Sequence, residues 1–132
     1  VTEAEYDEFG VKYDLQVINA YKDITYFNIA HIHGDNTMFE KLANYPCNCI
    51  NWHDRWAKPT MPEARKITDK CLLGGINEKW LSTAKPEEVR DHIREGILAA
   101  GRTGVMVTPG CVAELTTPKV NFYAARLAVE GL

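Results

Sequence analysis

Four short apolar runs recur along this chain, each followed by a helix-start signal, and this alternation restricts the fold more than any other feature. Phe27–His33 stops at Gly34. Cys47–Asn51 runs into Trp52-His53-Asp54-Arg55. Cys71–Ile76 carries Gly74-Gly75, and Val105–Val107 precedes Pro109-Gly110-Cys111. Such runs bounded by glycine and proline read as strands buried on both faces. Between them lie helix signals. Thr2-x-x-Glu5 is a capping box, in which two side chains satisfy free amides of a first turn. It opens a helix expected over residues 3–22, with Tyr6, Phe9, Tyr13 and Val17 at helical spacing. Thr37-x-x-Glu40 reads as a second box, starting a short helix through Leu42 that Pro46 closes. Thr60-x-x-Glu63, with Pro62 in the first turn, reads as a third, after a loop at Lys58-Pro59. Pro86-Glu87-Glu88 begins a helix with Val89, Ile93 and Ile97 on one face and Gly101 as its stop. Thr117-Pro118 caps a last helix bearing Phe122, Ala125 and Val129.

The order is therefore α-(βα)×4, with roughly 30 residues per unit. Strands alternating with helices imply an α/β fold with a parallel sheet and right-handed crossovers. Two architectures fit: an open doubly wound sheet, and half of an eight-stranded (β/α)8 barrel. On a strand, residues two apart share a face, so His31 and His33 project together from the carboxyl end. Polar groups converging there suit the mouth of a barrel. The expected fold is a parallel (βα)4 half of a TIM barrel with an extra N-terminal helix, a single segment over residues 1–132. Alone, such a half has open edge strands and an inner face without an opposite wall. It calls for a partner, either an N-terminal half of the barrel or a second copy of the chain. That the first residue is Val1 fits a piece of a longer protein.

Composition removes several function classes. A content of 45% hydrophobic and 25% charged residues is ordinary for a soluble globular chain. The formal net charge of −3 offers nothing to nucleic acid or an anionic membrane. No apolar stretch approaches the roughly 18 residues of a membrane span, and no signal-peptide pattern opens the chain. Four cysteines in that setting read as thiols or ligands in a reducing, cytoplasmic compartment.

The chemistry-bearing residues fall in a recognisable order. His31-Ile32-His33-Gly34, Asn51-Trp52-His53-Asp54-Arg55, Gly74-Gly75, Thr108-Pro109-Gly110-Cys111 and Thr117-Pro118-x-x-Asn121 succeed one another along the chain. This ordered set resembles the carboxyl-terminal half of the uroporphyrinogen decarboxylase superfamily, which also contains cobalamin-dependent methyltransferases that methylate coenzyme M. The resemblance covers essentially the whole chain. It implies a (β/α)8 barrel enzyme acting on a small, tetrapyrrole-related substrate, in porphyrin biosynthesis or in methyl transfer from a corrinoid. The decarboxylases place a histidine in a Gly-His-Gly turn after the last strand, where this chain has Cys111. The methyltransferases place zinc ligands at a His-x-Cys pair and a later Gly-Cys cysteine. Here Gly110-Cys111 matches, and His31-x-His33 departs at its second member. The aspartate that holds the pyrrole nitrogens in the decarboxylases lies in their other half.

His31, His33 and Cys111 are the main candidates for catalysis and for zinc. Two imidazoles and a thiolate suit a borderline-soft divalent ion, and three protein ligands leave one position open. The competing reading is a metal-free pocket in which the histidines bind carboxylates or phosphates. Asp54 is a candidate base or histidine-orienting group. Trp52, His53, Arg55 and Asn121 are candidate substrate-binding residues, Arg55 through bidentate binding of a carboxylate. The alternative for that stretch is a strand-end loop, with Asp54 paired to Arg55 and Trp52 packed beneath a helix. Cys47-x-Cys49 and Cys71 read as core thiols, and His92 as a residue of a solvated helix face. A non-catalytic half-barrel that binds a ligand or partner is the reading from a different functional class.

Overall fold

The computed structural model describes residues 1–130 and 132. Its sheet has four parallel strands: β1 (Ile29–His31), β2 (Cys49–Asn51), β3 (Cys71–Ile76) and β4 (Val105–Pro109). They lie side by side in the order β1-β2-β3-β4. Each strand is thus laid beside its predecessor, always in the same direction. A doubly wound sheet needs a reversal of that order, and none occurs. With every crossover right-handed, the helices gather on one side. This is the half-barrel arrangement, and the open doubly wound alternative is excluded.

The helical side holds the core. Ala30, Ile50, Leu72 and Val105 form one register row across the sheet. Ile50 and Leu72 pack with Ile32, Phe39, Trp52, Met61, Ala64 and Ala100, with Val105 against them. Helix α5 (Pro86–Ala100) buries Val89, Ile93 and Ile97, the face expected from their spacing. It ends where Gly101 takes the left-handed conformation (φ 97°). A second apolar cluster joins α5 to helix α6 (Lys119–Ala128) through Ala124, Ala125 and Ala128. The rows on either side of Ala30 point to the other face. One carries Ile29, Cys49 and Cys71; the other carries His31, Asn51, Leu73 and Met106. Ile29 and Met106 are about half exposed there. The margins of this inner face are open, whereas Cys49 and Leu73 at its centre are buried.

Several local expectations change. The N-terminal helix is one continuous run, but a π turn at Asp7–Val11 separates α1 (Glu3–Tyr6) from α2 (Lys12–Tyr21). The shift in phase takes Phe9, Tyr13 and Val17 off any core, and they are 69%, 55% and 62% exposed. The hydroxyls of Tyr6 and Tyr45 both donate to Asp14, which ties the helix to the segment after α3 (Phe39–Leu42). Thr37 does not form a capping box. It is buried and donates to the Lys58 carbonyl at 2.7 Å, so a tertiary bond takes the hydroxyl from the helix end. Helix α3 starts instead after Met38, in left-handed conformation. The box at Thr60 does form, with Glu63 accepting from the Thr60 amide at 2.7 Å at the start of α4 (Met61–Ala64). In α6 the buried face is Asn121, Ala124, Ala125 and Ala128, with Phe122 and Val129 facing outward. Small residues permit the close approach of α6 to α5, and the larger side chains are turned away. No helix among the described residues is long and apolar enough to cross a membrane.

Candidate active site at the carboxyl ends of the strands

Strand β1 ends at His31, yet its pairing runs one residue further, because the Ile32 amide donates to Asn51 O at 2.8 Å. Alternation therefore continues through the end of the strand. Ile32 enters the core, while His31 and His33 stay on the inner face. The turn after β4 brings Cys111 to the same place. Ligand atoms of His31, His33 and Cys111 all lie within 4.8 Å of one another, and Cys111 Sγ is 3.7 Å from His33 Nδ1. Gly110 makes that approach sterically feasible. A Cβ at this position would sit 2.9 Å from His53 Cα and from Trp52 O.

Asn51, directly opposite His31 in the register, fixes the tautomer of that ring. Its Nδ2 faces three oxygens, Leu73 O, Pro109 O and Thr108 Oγ1, at 3.1 to 3.4 Å. Its Oδ1 must therefore face His31, 2.6 Å from Nδ1. His31 Nδ1 carries the hydrogen, and Nε2 presents a lone pair. His53 is held in the same manner. It is 2% exposed, and its Nδ1 lies 2.6 Å from Glu78 Oε1. The Trp56 indole donates to that same oxygen at 2.9 Å, and its ring stacks on His53 with centroids 4.0 Å apart. Burial pushes the Glu78 carboxyl up, but hydrogen bonds from its own amide, Trp56 and His53 outweigh it and leave it below the usual value. Glu78 Oε1 thus accepts from His53 Nδ1–H, and in the neutral imidazole it is Nε2 of His53 that presents a lone pair. That Nε2 lies 3.2 Å from His33 Nδ1.

The other candidates are placed elsewhere. Trp52 is fully buried, packs on Phe39 and donates to Pro59 O at 2.7 Å, so it supports the loop from the helical side. Asp54 is buried and accepts from the Gly75 amide at 3.0 Å. Burial raises its carboxyl to about 6, against the lowering effects of the Gly75 amide and the Arg55 charge. Arg55 turns away from the histidines, and its Nε donates to His92 Nε2 at 3.0 Å. His92 is consequently not on a solvated face. It also accepts from the Asn77 amide, and burial together with Arg55 depresses it to about 4. Asn121, in α6, is buried and donates to Leu81 O and Ala84 O in the segment before α5. Cys49 is fully buried, and burial plus its neighbour Cys71 push its thiol well up, in keeping with a core role. Glu78 and Trp56 were not singled out from sequence. Glu78 follows β3 by two residues, at the end of the strand where site residues gather, and that position was the available signal.

Four parallel strands in sequential order with their helices define half of a (β/α)8 barrel, with a cluster of histidines and a cysteine at its strand ends. A family model, Uroporphyrinogen decarboxylase (URO-D), matches residues 1–131, and the chain belongs to that family. No curated protein matches the chain significantly.

Proposed function

We propose that this chain forms the carboxyl-terminal part of a uroporphyrinogen decarboxylase-superfamily enzyme whose barrel mouth holds zinc and transfers a methyl group from a corrinoid to a thiol. The carrying observation is the convergence of His31, His33 and Cys111, residues from the first and last βα units, within 4.8 Å. Two imidazoles and a sulfur fit a borderline-soft divalent ion. The second-nitrogen contact of His31 with Asn51 is the kind of support that fixes a ligating imidazole. A zinc ion bound there would favour the thiolate form of an incoming thiol.

The chain's own residues have separable tasks. Asn51 keeps His31 in the tautomer with a free Nε2. Gly110 lets the Cys111 turn approach His33. Asp54 holds the Gly75 amide and so the shape of the strand end, a positioning task rather than contact with substrate. Four further βα units, from elsewhere in the protein or from a second copy, cover the inner face and complete the substrate pocket.

Elemental analysis of protein purified under reducing conditions tests this reading. The expected result is about one zinc per chain, lost in both His31→Ala and Cys111→Ala. Metal-free protein that removes carboxylates from a porphyrinogen overturns it in favour of the decarboxylase reaction. Protein with neither metal nor turnover overturns it in favour of a non-catalytic binding module.

A further inference from the structure

Next to the three candidate ligands stands a fourth nitrogen with the same preparation. We infer that His53, fixed by Glu78, is an additional ligand of the centre formed by His31, His33 and Cys111. The inference rests on the metal reading above and extends it to residues outside the ligand set that the family resemblance implies.

Three observations carry it. The first is tautomeric. Glu78 Oε1 accepts the Nδ1 hydrogen of His53, which in the neutral ring leaves an Nε2 lone pair facing His33 Nδ1 at 3.2 Å. A carboxylate on the far nitrogen of an imidazole is the recurring support of a metal-bound histidine. The second is spacing. Two nitrogens about 2.05 Å from one tetrahedral ion lie roughly 3.4 Å apart, and a nitrogen and a thiolate sulfur roughly 3.6 Å. His53 Nε2 and Cys111 Sγ stand 3.2 and 3.7 Å from the same atom, His33 Nδ1. One imidazole nitrogen has a single hydrogen to give, whereas one ion beside it serves both neighbours. The third is preorganisation. His53 is buried, stacked on Trp56 and backed by a carboxylate that also receives the Trp56 indole. The second oxygen of Glu78 has no partner among the described residues. Burying a carboxylate this way is costly unless charge nearby compensates it, and a divalent ion one imidazole away supplies that charge. The ring centroid of His53 is 4.7 Å from that of His33 and 6.0 Å from that of His31. His53 thus enters the set from the His33 side.

The test is cobalt(II) and zinc binding by the full-length protein, read by competition with a chromophoric chelator and by the visible absorption of cobalt. Wild type is expected to bind with a thiolate-to-cobalt band. His53→Ala should lose at least 100-fold in affinity and change the ligand-field bands while keeping the thiolate band. Glu78→Gln, which preserves shape and burial, should lose 10- to 100-fold. Circular dichroism establishes that each variant is folded, and Glu78→Gln decides if His53→Ala is not. Wild-type affinity and bands in folded His53→Ala or Glu78→Gln overturn this inference alone, provided His31→Ala and Cys111→Ala abolish binding. Weaker binding with unchanged ligand-field bands also overturns it, because His53 then only positions His33. Absence of binding by wild type overturns it together with the metal reading.

Discussion

Replacing Asp54 by asparagine isolates the cost of a buried carboxylate. Asp54 is 4% exposed, and burial lifts its folded-state pKa from 3.8 to about 6. In the unfolded chain the group titrates near the ordinary value. Between those two pH values the folded state holds more protons than the unfolded one, so stability falls as pH rises. Above about pH 6 the penalty is complete. Two pKa units at 1.36 kcal/mol each put it at roughly 3 kcal/mol. Asparagine keeps an acceptor for the Gly75 amide and carries no charge, but its Nδ2 hydrogens lack a partner, a cost of about 1–3 kcal/mol at every pH. The pH dependence of the difference is therefore more informative than its absolute size. Urea denaturation with a chelator present, at about pH 4 and about pH 7.5, measures it. The stability of Asp54→Asn relative to wild type should rise by about 2–3 kcal/mol across that interval. A difference that stays constant, or that moves against the variant as pH rises, refutes the reasoning and means the carboxylate is not desolvated as its surroundings indicate.

His92 gives the opposite trend. It is neutral in the folded state down to about pH 4, so stability present above pH 6.5 is lost as pH falls toward 4. His92→Gln should flatten that acid limb in the same denaturation series. Gly110→Ala forces a Cβ against His53 Cα and Trp52 O, both backbone atoms that cannot rotate aside. It should cost about 1–3 kcal/mol by overpacking and weaken metal binding as Cys111 moves from His33, both measurable on one preparation. The open margins of the inner face, with Ile29 and Met106 half exposed on the edge strands β1 and β4, predict self-association or binding of an apolar dye by the isolated chain. A compact, dye-silent monomer in size-exclusion chromatography would count against that.

Strand order and helix order were legible because the apolar runs are short, separated and punctuated by glycine and proline. The meeting of His31, His33 and Cys111 was also legible, since parallel strands deliver their carboxyl ends to one place and the family resemblance named the turns. What escaped were partnerships that no spacing encodes. The Glu78–His53 pair joins loops 25 residues apart, and the contact of Arg55 with His92 joins a strand-end loop to a helix face. Thr37 shows how a local pattern yields to tertiary structure: its box is complete in the letters, yet Lys58 O takes the hydroxyl. The face of α6 was misread because alanines and a buried asparagine, rather than Phe122 and Val129, fit the narrow gap to α5.

The location of the ligands on the sheet has a mechanical consequence. His31 ends one outermost strand, with His33 two residues beyond it, and Cys111 follows the other. An ion shared by them would act as a clasp between the two margins, spanning the pair of strands in the middle. Peeling of either margin would then require release of the ion. Amide hydrogen exchange at Ala30 and at Thr108, whose amides face the neighbouring strand in the ladder, should slow in concert on loading, while exchange in the N-terminal helix stays as it was.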